Sequence, residues 1–200
     1  YSVRIQHHDS DWQQILYQVT CLPQLIHLEF GEHVTSTEFI EALLESNVMP
    51  NVEHLLLPDV CVSEFLSNHP YWLQLHALHS LHIRRSSTLT FPQFSHFSTV
   101  TSLRIDFMES NATFNQISPH LSHLTALNVG NFGFHTTDEQ ILLEPILKMT
   151  RLRDLTWMTQ RNSWGDMLNG LPQLETLCLI FRHHRTSTPW LGTSTLRSLA

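Results

Sequence analysis

The sequence is poor in lysine and in charged residues generally. Charged side chains make up 14% of the 200 residues, and Lys148 is the only lysine. Eleven basic residues stand against eighteen acidic ones, which gives a formal net charge of −7. Because no basic stripe is available to neutralise a phosphate backbone, we expect no nucleic-acid partner.

Cysteine is scarce as well, and the three cysteines, Cys21, Cys61 and Cys178, lie far apart with no CxxC pair. An odd number of isolated cysteines argues against a disulfide framework and against a zinc knuckle. The cysteine content therefore favours a reducing, intracellular compartment, either the cytoplasm or the nucleus.

Long apolar runs are missing. No stretch approaches the ~18 apolar residues that a membrane-spanning helix needs. The N-terminal residues also lack the charged-then-apolar layout of a signal peptide, so we expect no membrane partner. The sequence does not begin with Met, and we interpret it as a fragment of a longer chain.

The sequence contains none of the common catalytic motifs. There is no G-x-S-x-G, no phosphate-binding loop, no HExxH and no Cys/His pair with a local family signature. The carboxylates of Asp138 and Glu139 are better explained as favourable charges in the first turn of a helix than as an acid/base pair. We therefore expect no enzyme activity, no catalytic residue and no cofactor.

What the sequence does contain is a repeat. The pattern L-x-x-L-x-x-L-x-L, with apolar residues at the L positions, occurs in seven full copies: Leu22–Phe30, Met49–Leu57, Leu75–Ile83, Phe97–Ile105, Leu121–Val129, Met149–Trp157 and Leu171–Leu179. We call the first residue of the final L-x-L pair the anchor. Including truncated copies at both ends, the anchors are Val3, Leu28, Leu55, Leu81, Leu103, Leu127, Leu155, Leu177 and Leu199, which are 22 to 28 residues apart.

The L-x-L pair predicts a short strand, because alternate side chains of a strand point to opposite faces. Strands repeated at this interval pair in parallel with their neighbours, and stacking then buries the apolar face that no single unit can bury alone. Between strands, Ser10 and Gln13 form a capping box ahead of an amphipathic helix. Similar boxes begin at Thr35 and Thr136, and Pro145 should kink or end the helix that follows the latter.

With these repeats, the whole sequence resembles the leucine-rich-repeat superfamily, whose period is 20–29 residues. The asparagine ladder of the common types is absent, and the unequal repeats are similar to those in fungal and plant F-box proteins. The resemblance implies an α/β leucine-rich-repeat solenoid, a horseshoe, formed by residues 1–200 as a single domain of about eight irregular repeats. A parallel sheet would line its concave side, with short irregular helices and turns on the convex side.

The resemblance also implies a function. In F-box proteins the repeats hold a substrate, while an F-box docks onto a ubiquitin-ligase scaffold. We therefore expect a non-enzymatic protein-binding domain, the substrate-binding part of an F-box-like ubiquitin-ligase adaptor. The contact with the ligase scaffold would use a segment that is not present here, because these residues contain no F-box signature.

Candidate partner-binding residues are the outward positions of the predicted strands, on the concave face. Charge is concentrated in the middle repeats, and arginine is enriched in binding hot spots. The predicted residues are His82, Arg84, Arg104, Asp106, Asn128 and Thr156. The competing interpretation is a solvated sheet face on which Arg104 and Asp106 simply balance each other.

Two other functions stay open. One is a scaffold segment of a signalling protein without a link to a ligase. The other is a histidine-dependent metal-binding or pH-sensing module, because full protonation of fifteen histidines would move the formal charge from −7 to +8. His76, His79 and His82 suggest a metal site by their spacing. The repeat register, however, places only His82 on the outward face, so we predict no metal there.

Overall fold

The computed structural model describes the strands, the turns that lead into them and parts of the connecting segments. These are residues 1–6, 12–22, 24–31, 39, 42–43, 45–46, 49–57, 75–86, 98–108, 114, 118–132, 144–159, 170–181 and 193–194. The chain divides into two compact units, Tyr1–Val100 and Thr101–Ala200. Each unit is built on its own set of parallel strands.

The described part of the N-terminal unit contains four strands, β1 (Ser2–Ile5), β2 (His27–Phe30), β3 (His54–Leu57) and β4 (Ser80–Ser86). They pair in parallel in the order of the sequence. One helix, α1 (Trp12–Thr20), joins β1 to β2, and a 3-10 turn at Met49–Asn51 leads towards β3.

The C-terminal unit contains β5 (Ser102–Met108), β6 (Ala126–Phe132), β7 (Asp154–Thr159) and β8 (Thr176–Phe181), again paired in parallel in sequence order. A fifth strand, β9 (Thr193–Ser194), adds to β8 in the antiparallel direction. A 3-10 turn at Ser118–His120 precedes β6. The protein is thus an α/β protein with an open parallel sheet in each unit, as the sequence predicts.

The strand register follows the repeat. In β1 to β8 the predicted anchor is the second residue of the strand, and anchors pair with anchors. The paired sets are Val3, Leu28, Leu55 and Leu81 in the N-terminal unit, and Leu103, Leu127, Leu155 and Leu177 in the C-terminal unit. The prediction of parallel strands at these positions is confirmed. The truncated copy around Leu199 lies outside the described residues.

The core consists of the same apolar positions. In β4, for example, Leu81 and Ile83 are at most 1% exposed, while Ser80, His82 and Arg84 between them are half-buried. The residue three positions before the anchor is buried too, as shown by Leu25, Val52, Leu78, Val100, Leu124 and Leu152. The first six full repeats therefore bury at least three apolar side chains each, and Leu171–Leu179 buries Leu171 and Leu177. This burial stabilises the stack.

Two backbone features recur in the approach to the strands and explain the three-residue spacing. The residue three positions before the anchor donates its N–H to the carbonyl three residues earlier, as from Leu78 to Leu75 and from Leu152 to Met149. One carbonyl per repeat then accepts two N–H groups from the next repeat. These carbonyls belong to Tyr1, Ile26, Glu53, Thr101, Thr125 and Arg153. A tight turn therefore sets the L-x-x-L spacing, and a shared acceptor fixes the register.

The connecting helices are confirmed where they are described. Helix α1 (Trp12–Thr20) lies in the first predicted helical segment and directs Val19 into the core, whereas the predicted capping residue Ser10 lies outside the described residues. Phe39 and Leu43, in the second predicted helix, are helical and buried. Residues 144–147 are helical with Pro145 among them, whereas the capping box at Thr136 lies outside the described residues.

Candidate functional site

Strand alternation leaves one side of each unit's sheet covered by polar side chains. We call this side the outward face; it comprises the strand residues that flank the buried anchors and alternate with them. In the N-terminal unit the outward face consists of Ser2, Arg4, His27, Glu29, His54, Leu56, Ser80, His82 and Arg84. These positions correspond to the concave face predicted from the sequence.

An ion-pair network connects three strands of this face. The carboxylate of Glu29 on β2 forms an ion pair with Arg4 on β1 (Nε to Oε1, 3.1 Å). The same oxygen accepts a hydrogen bond from Arg84 on β4 (Nη2 to Oε1, 3.4 Å). To reach Glu29, the Arg84 side chain crosses β3. Glu29 and Arg84 are only 20% and 17% exposed, whereas Arg4 is 55% exposed. Two guanidinium groups therefore share one carboxylate oxygen, with Arg84 held firmly and Arg4 open to solvent.

A pair of histidines lies beside this network. His27 on β2 and His54 on β3 are register partners, and both side chains are exposed. Their rings stack with centroids 5.6 Å apart and an interplanar angle of 30°. In the same row, the neighbouring strands contribute Ser2 and Ser80. Two imidazoles are thus held side by side at the surface by strand pairing alone.

Of the residues predicted from the sequence, His82 and Arg84 belong to this unit. Both lie on the outward side of β4, and both are half-buried. His82 pairs in register with Leu56, and Arg84 joins the Glu29 network. The sequence prediction did not include Arg4, Glu29, His27 or His54. The sequence feature that these four residues share is a position directly before or after an anchor.

The other four predicted residues belong to the C-terminal unit. Arg104 and Asp106 lie on β5 and form an ion pair within the strand, 2.7 Å from Nε to Oδ1. Asn128 on β6 and Thr156 on β7 follow Arg104 in register. Both are half-buried, and neither side chain makes a hydrogen bond to the described residues. This arrangement is a short polar row with one guanidinium group at its end.

The two outward faces differ in charge. Among the described positions of the N-terminal face there are two arginines, three histidines and one carboxylate. In the C-terminal unit the described outward positions contain one arginine, Arg104, and two carboxylates, Asp106 and Asp154. The N-terminal face is therefore positive within a chain of formal charge −7.

Possible metal ligands are dispersed. His76 and His79 are exposed in the turn that precedes β4, whereas His82 lies on the strand itself. Within the part of the chain that the structure describes, no group of three or more His, Cys, Asp or Glu side chains is placed to hold a metal ion. Cys21 and Cys178 are both free thiols, and Cys61 lies outside the described residues.

A cavity of about 350 Å³ lies between β1 and α1. Its wall is mainly apolar, with Arg4, Gln6 and Gln18 at the polar part. The apolar lining residues are Val3, Ile5, Ile15, Val19 and Leu22. Its described lining contains no hydroxyl, thiol, imidazole or carboxylate group, so it offers neither a nucleophile nor a general base.

No protein-family model and no curated protein matches the chain. Among the helices that the structure describes, none has the length and apolar character required to cross a membrane.

Proposed function

We propose that this chain is a protein-binding domain of the leucine-rich-repeat type, a horseshoe solenoid whose concave side carries the outward faces. The observation that supports the proposal is the repetition of one unit: anchor, tight turn and shared carbonyl acceptor recur at 22- to 28-residue intervals. Repeats of this kind bury their apolar side against their neighbours and expose an extended polar side. Such a surface is suited to binding another protein.

Within this class, we propose the substrate-binding part of an F-box-like ubiquitin-ligase adaptor. The unequal repeat lengths and the lack of asparagine at the ladder positions favour the irregular type of repeat. The ligase scaffold would be contacted through a segment outside this sequence. The domain would act inside the cell, in the cytoplasm or nucleus, without an enzymatic reaction of its own.

The proposed contact residues are His82, Arg84, Arg104, Asp106, Asn128 and Thr156. Asn128 and Thr156 provide the most direct argument. Their polar groups are half-buried without a hydrogen bond to the described residues, and such groups are stabilised when a partner supplies one. Arg104 is 54% exposed, and Asp106 restrains only its Nε edge.

The test is quantitative affinity capture of the full-length protein from cells of its own source. A triple variant, Arg104→Gln, Asn128→Ala and Thr156→Val, should lose the substrate protein and keep the ligase scaffold. A control variant carries Glu144→Gln and Lys148→Gln, which remove an exposed ion pair away from the outward faces. Capture of the same proteins by wild type and triple variant would overturn the proposal.

The same experiment distinguishes the adaptor from the first alternative, a scaffold segment without a link to a ligase. If the triple variant loses a partner but no preparation contains ubiquitin-ligase components, the domain is a binding scaffold without a ligase link. The protein-binding proposal would then stand, and the adaptor proposal would be wrong.

A further inference from the structure

We propose that the outward face of the N-terminal unit binds an acidic polypeptide segment, and that this binding strengthens as the pH falls from about 7.5 to about 6. The inference rests on the proposed protein-binding function and specifies the chemistry of the partner. It concerns residues beyond the predicted set, namely Arg4, Glu29, His27 and His54.

The charge of this face is the first argument. Its described positions hold Arg4, Arg84 and three histidines against the single carboxylate of Glu29. The network around Glu29 thus keeps a net positive charge even when every histidine is neutral. Because the chain as a whole is at −7, the concentration of positive charge here marks the place where an acidic partner is attracted and oriented.

The geometry of the arginines is the second argument. Glu29 fixes one guanidinium from β1 and one from β4, so the positive groups are preorganised before a partner arrives. Both guanidinium groups contact the same oxygen of Glu29, so the two nitrogen atoms in contact lie no more than about 6.5 Å apart. In an extended segment, alternate side chains point to one face and are about 6.6 Å apart. A peptide with acidic residues at alternate positions can therefore place one carboxylate near Arg4 and another near Arg84.

The stacked histidines are the third argument, and they give the binding its pH dependence. His27 and His54 lie one row from Glu29, between Ser2 on β1 and Ser80 on β4. Protonation of both would place like charges on rings whose centroids are 5.6 Å apart. A partner carboxylate above the pair offsets this repulsion, so binding favours the protonated form. Since protonation increases as the pH falls, affinity must rise in the same direction.

Apart from Glu29, the other charged groups on this face agree with that sign. His82 on β4 adds positive charge on acidification, and Arg4 and Arg84 stay charged throughout. The negative charge of Glu29 repels a partner carboxylate, but Glu29 is already paired with both arginines. Partner carboxylates of the glutamate type remain largely ionised at about pH 6.

The probe is a fluorescein-labelled peptide of alternating Glu and Gly, measured by fluorescence anisotropy with the 200-residue chain in the presence of EDTA. We expect it to bind more tightly at about pH 6 than at about pH 7.5, with an affinity that falls as salt is added. Arg4→Gln and Arg84→Gln should each weaken binding by about two- to fivefold at both pH values. The double variant His27→Gln/His54→Gln should bind normally at the higher pH and lose most of the gain at the lower one, since His82 is retained.

Matched controls are available in the same chain. Arg153→Gln removes an exposed arginine of the C-terminal unit that is paired with Glu175, and His76→Gln removes an exposed histidine of a turn. Both should bind the peptide like wild type, with unchanged circular dichroism. Equal weakening by Arg153→Gln, equal binding of a Gln-Gly peptide, or equal binding of a nucleic-acid oligomer would overturn the inference. If the peptide does not bind but partner capture still depends on Arg104 and Asn128, only the acidic specificity fails.

Discussion

Each anchor residue must satisfy three structural requirements at once. An anchor such as Leu81 must pair in register with the anchor of the preceding strand, direct its side chain inward and follow the tight turn that begins at Leu75. The outward residue after it, His82, has only to pair in register with Leu56 of the preceding strand. Anchor positions therefore tolerate little variation, whereas their outward neighbours are available for function.

The anchor Leu81 provides the first prediction. It is 1% exposed, so Leu81→Ala should lower the free energy of unfolding by about 2–5 kcal/mol through lost burial and the cavity that remains. Urea denaturation measures the loss. Leu56→Ala is the matched control, because Leu56 lies half-buried on the outward side of the adjacent strand. Its cost should be clearly smaller, and equal losses would contradict the assignment of the two faces.

Gly130 provides the second residue-scale prediction. A Cβ atom at this position would lie 2.9 Å from the backbone carbonyl oxygen of Asp106, a contact that neither strand can relieve by rotating a side chain. Gly130→Ala should therefore cost about 1–3 kcal/mol of stability, measured by thermal or urea unfolding. Asn128→Ala on the same strand should stay within about 0.5 kcal/mol. If the two variants were equally stable, the close approach of β5 and β6 would be wrong.

At the scale of the elements, the turn before each strand determines the spacing of apolar residues in the repeat as much as the strand itself does. The N–H of Leu78 bonds to the carbonyl of Leu75, so leucines three apart are brought into one tight turn. His76 and His79 share that three-residue rhythm only because they are neighbours of these leucines. The spacing that suggests a metal site is thus a by-product of the turn.

The ion-pair network around Glu29 gives a prediction about how much one charged side chain contributes to stability by linking neighbouring strands. Glu29→Gln leaves Arg4 and Arg84 without their shared carboxylate, and we expect a loss of about 1 kcal/mol at low salt. Glu175→Gln, which removes a pair with both side chains more than half exposed, should cost less than about 0.5 kcal/mol. The difference should shrink at high salt. Equal losses in urea unfolding would show that the Glu29 network contributes no more than a surface pair.

The strands were predictable because each is coded by a local pattern of buried residues. The apolar alternation at Leu103 and Ile105 is sufficient to place β5, and the same argument applies to every strand from β1 to β8. β9 was not predictable: Thr193 and Ser194 form a two-residue strand with no apolar alternation, and only the exposed edge of β8 gives them a partner.

The candidate site was predictable only in part. Period-two alternation places His82 and Arg104 outward, but it does not show how far a side chain reaches sideways, so the Arg84–Glu29 contact across β3 could not be inferred. The His27–His54 pair was missed for a different reason. These residues are 27 apart in sequence and become neighbours only through the register, because each directly precedes an anchor.

At the scale of the whole molecule, histidine dominates the response to pH. The formal charge is −7 with neutral histidines, and fifteen histidines can carry it through zero on mild acidification. Part of this charge lies on the outward face of the N-terminal unit, which is already positive. Acidification therefore changes both the net charge and the contrast between this face and the rest of the surface.

The difference in charge between this face and the rest of the surface gives the last prediction. The sequence-based isoelectric point is about 6.1, and low net charge promotes association, so light scattering at constant ionic strength should be greatest near that pH. Removing three histidines lowers the positive charge available, so the maximum should move to lower pH in any triple variant. If the positive face drives the association, His27→Gln/His54→Gln/His82→Gln should also reduce the height of the maximum. His76→Gln/His79→Gln/His123→Gln should only shift it, and identical heights would show that net charge alone controls association.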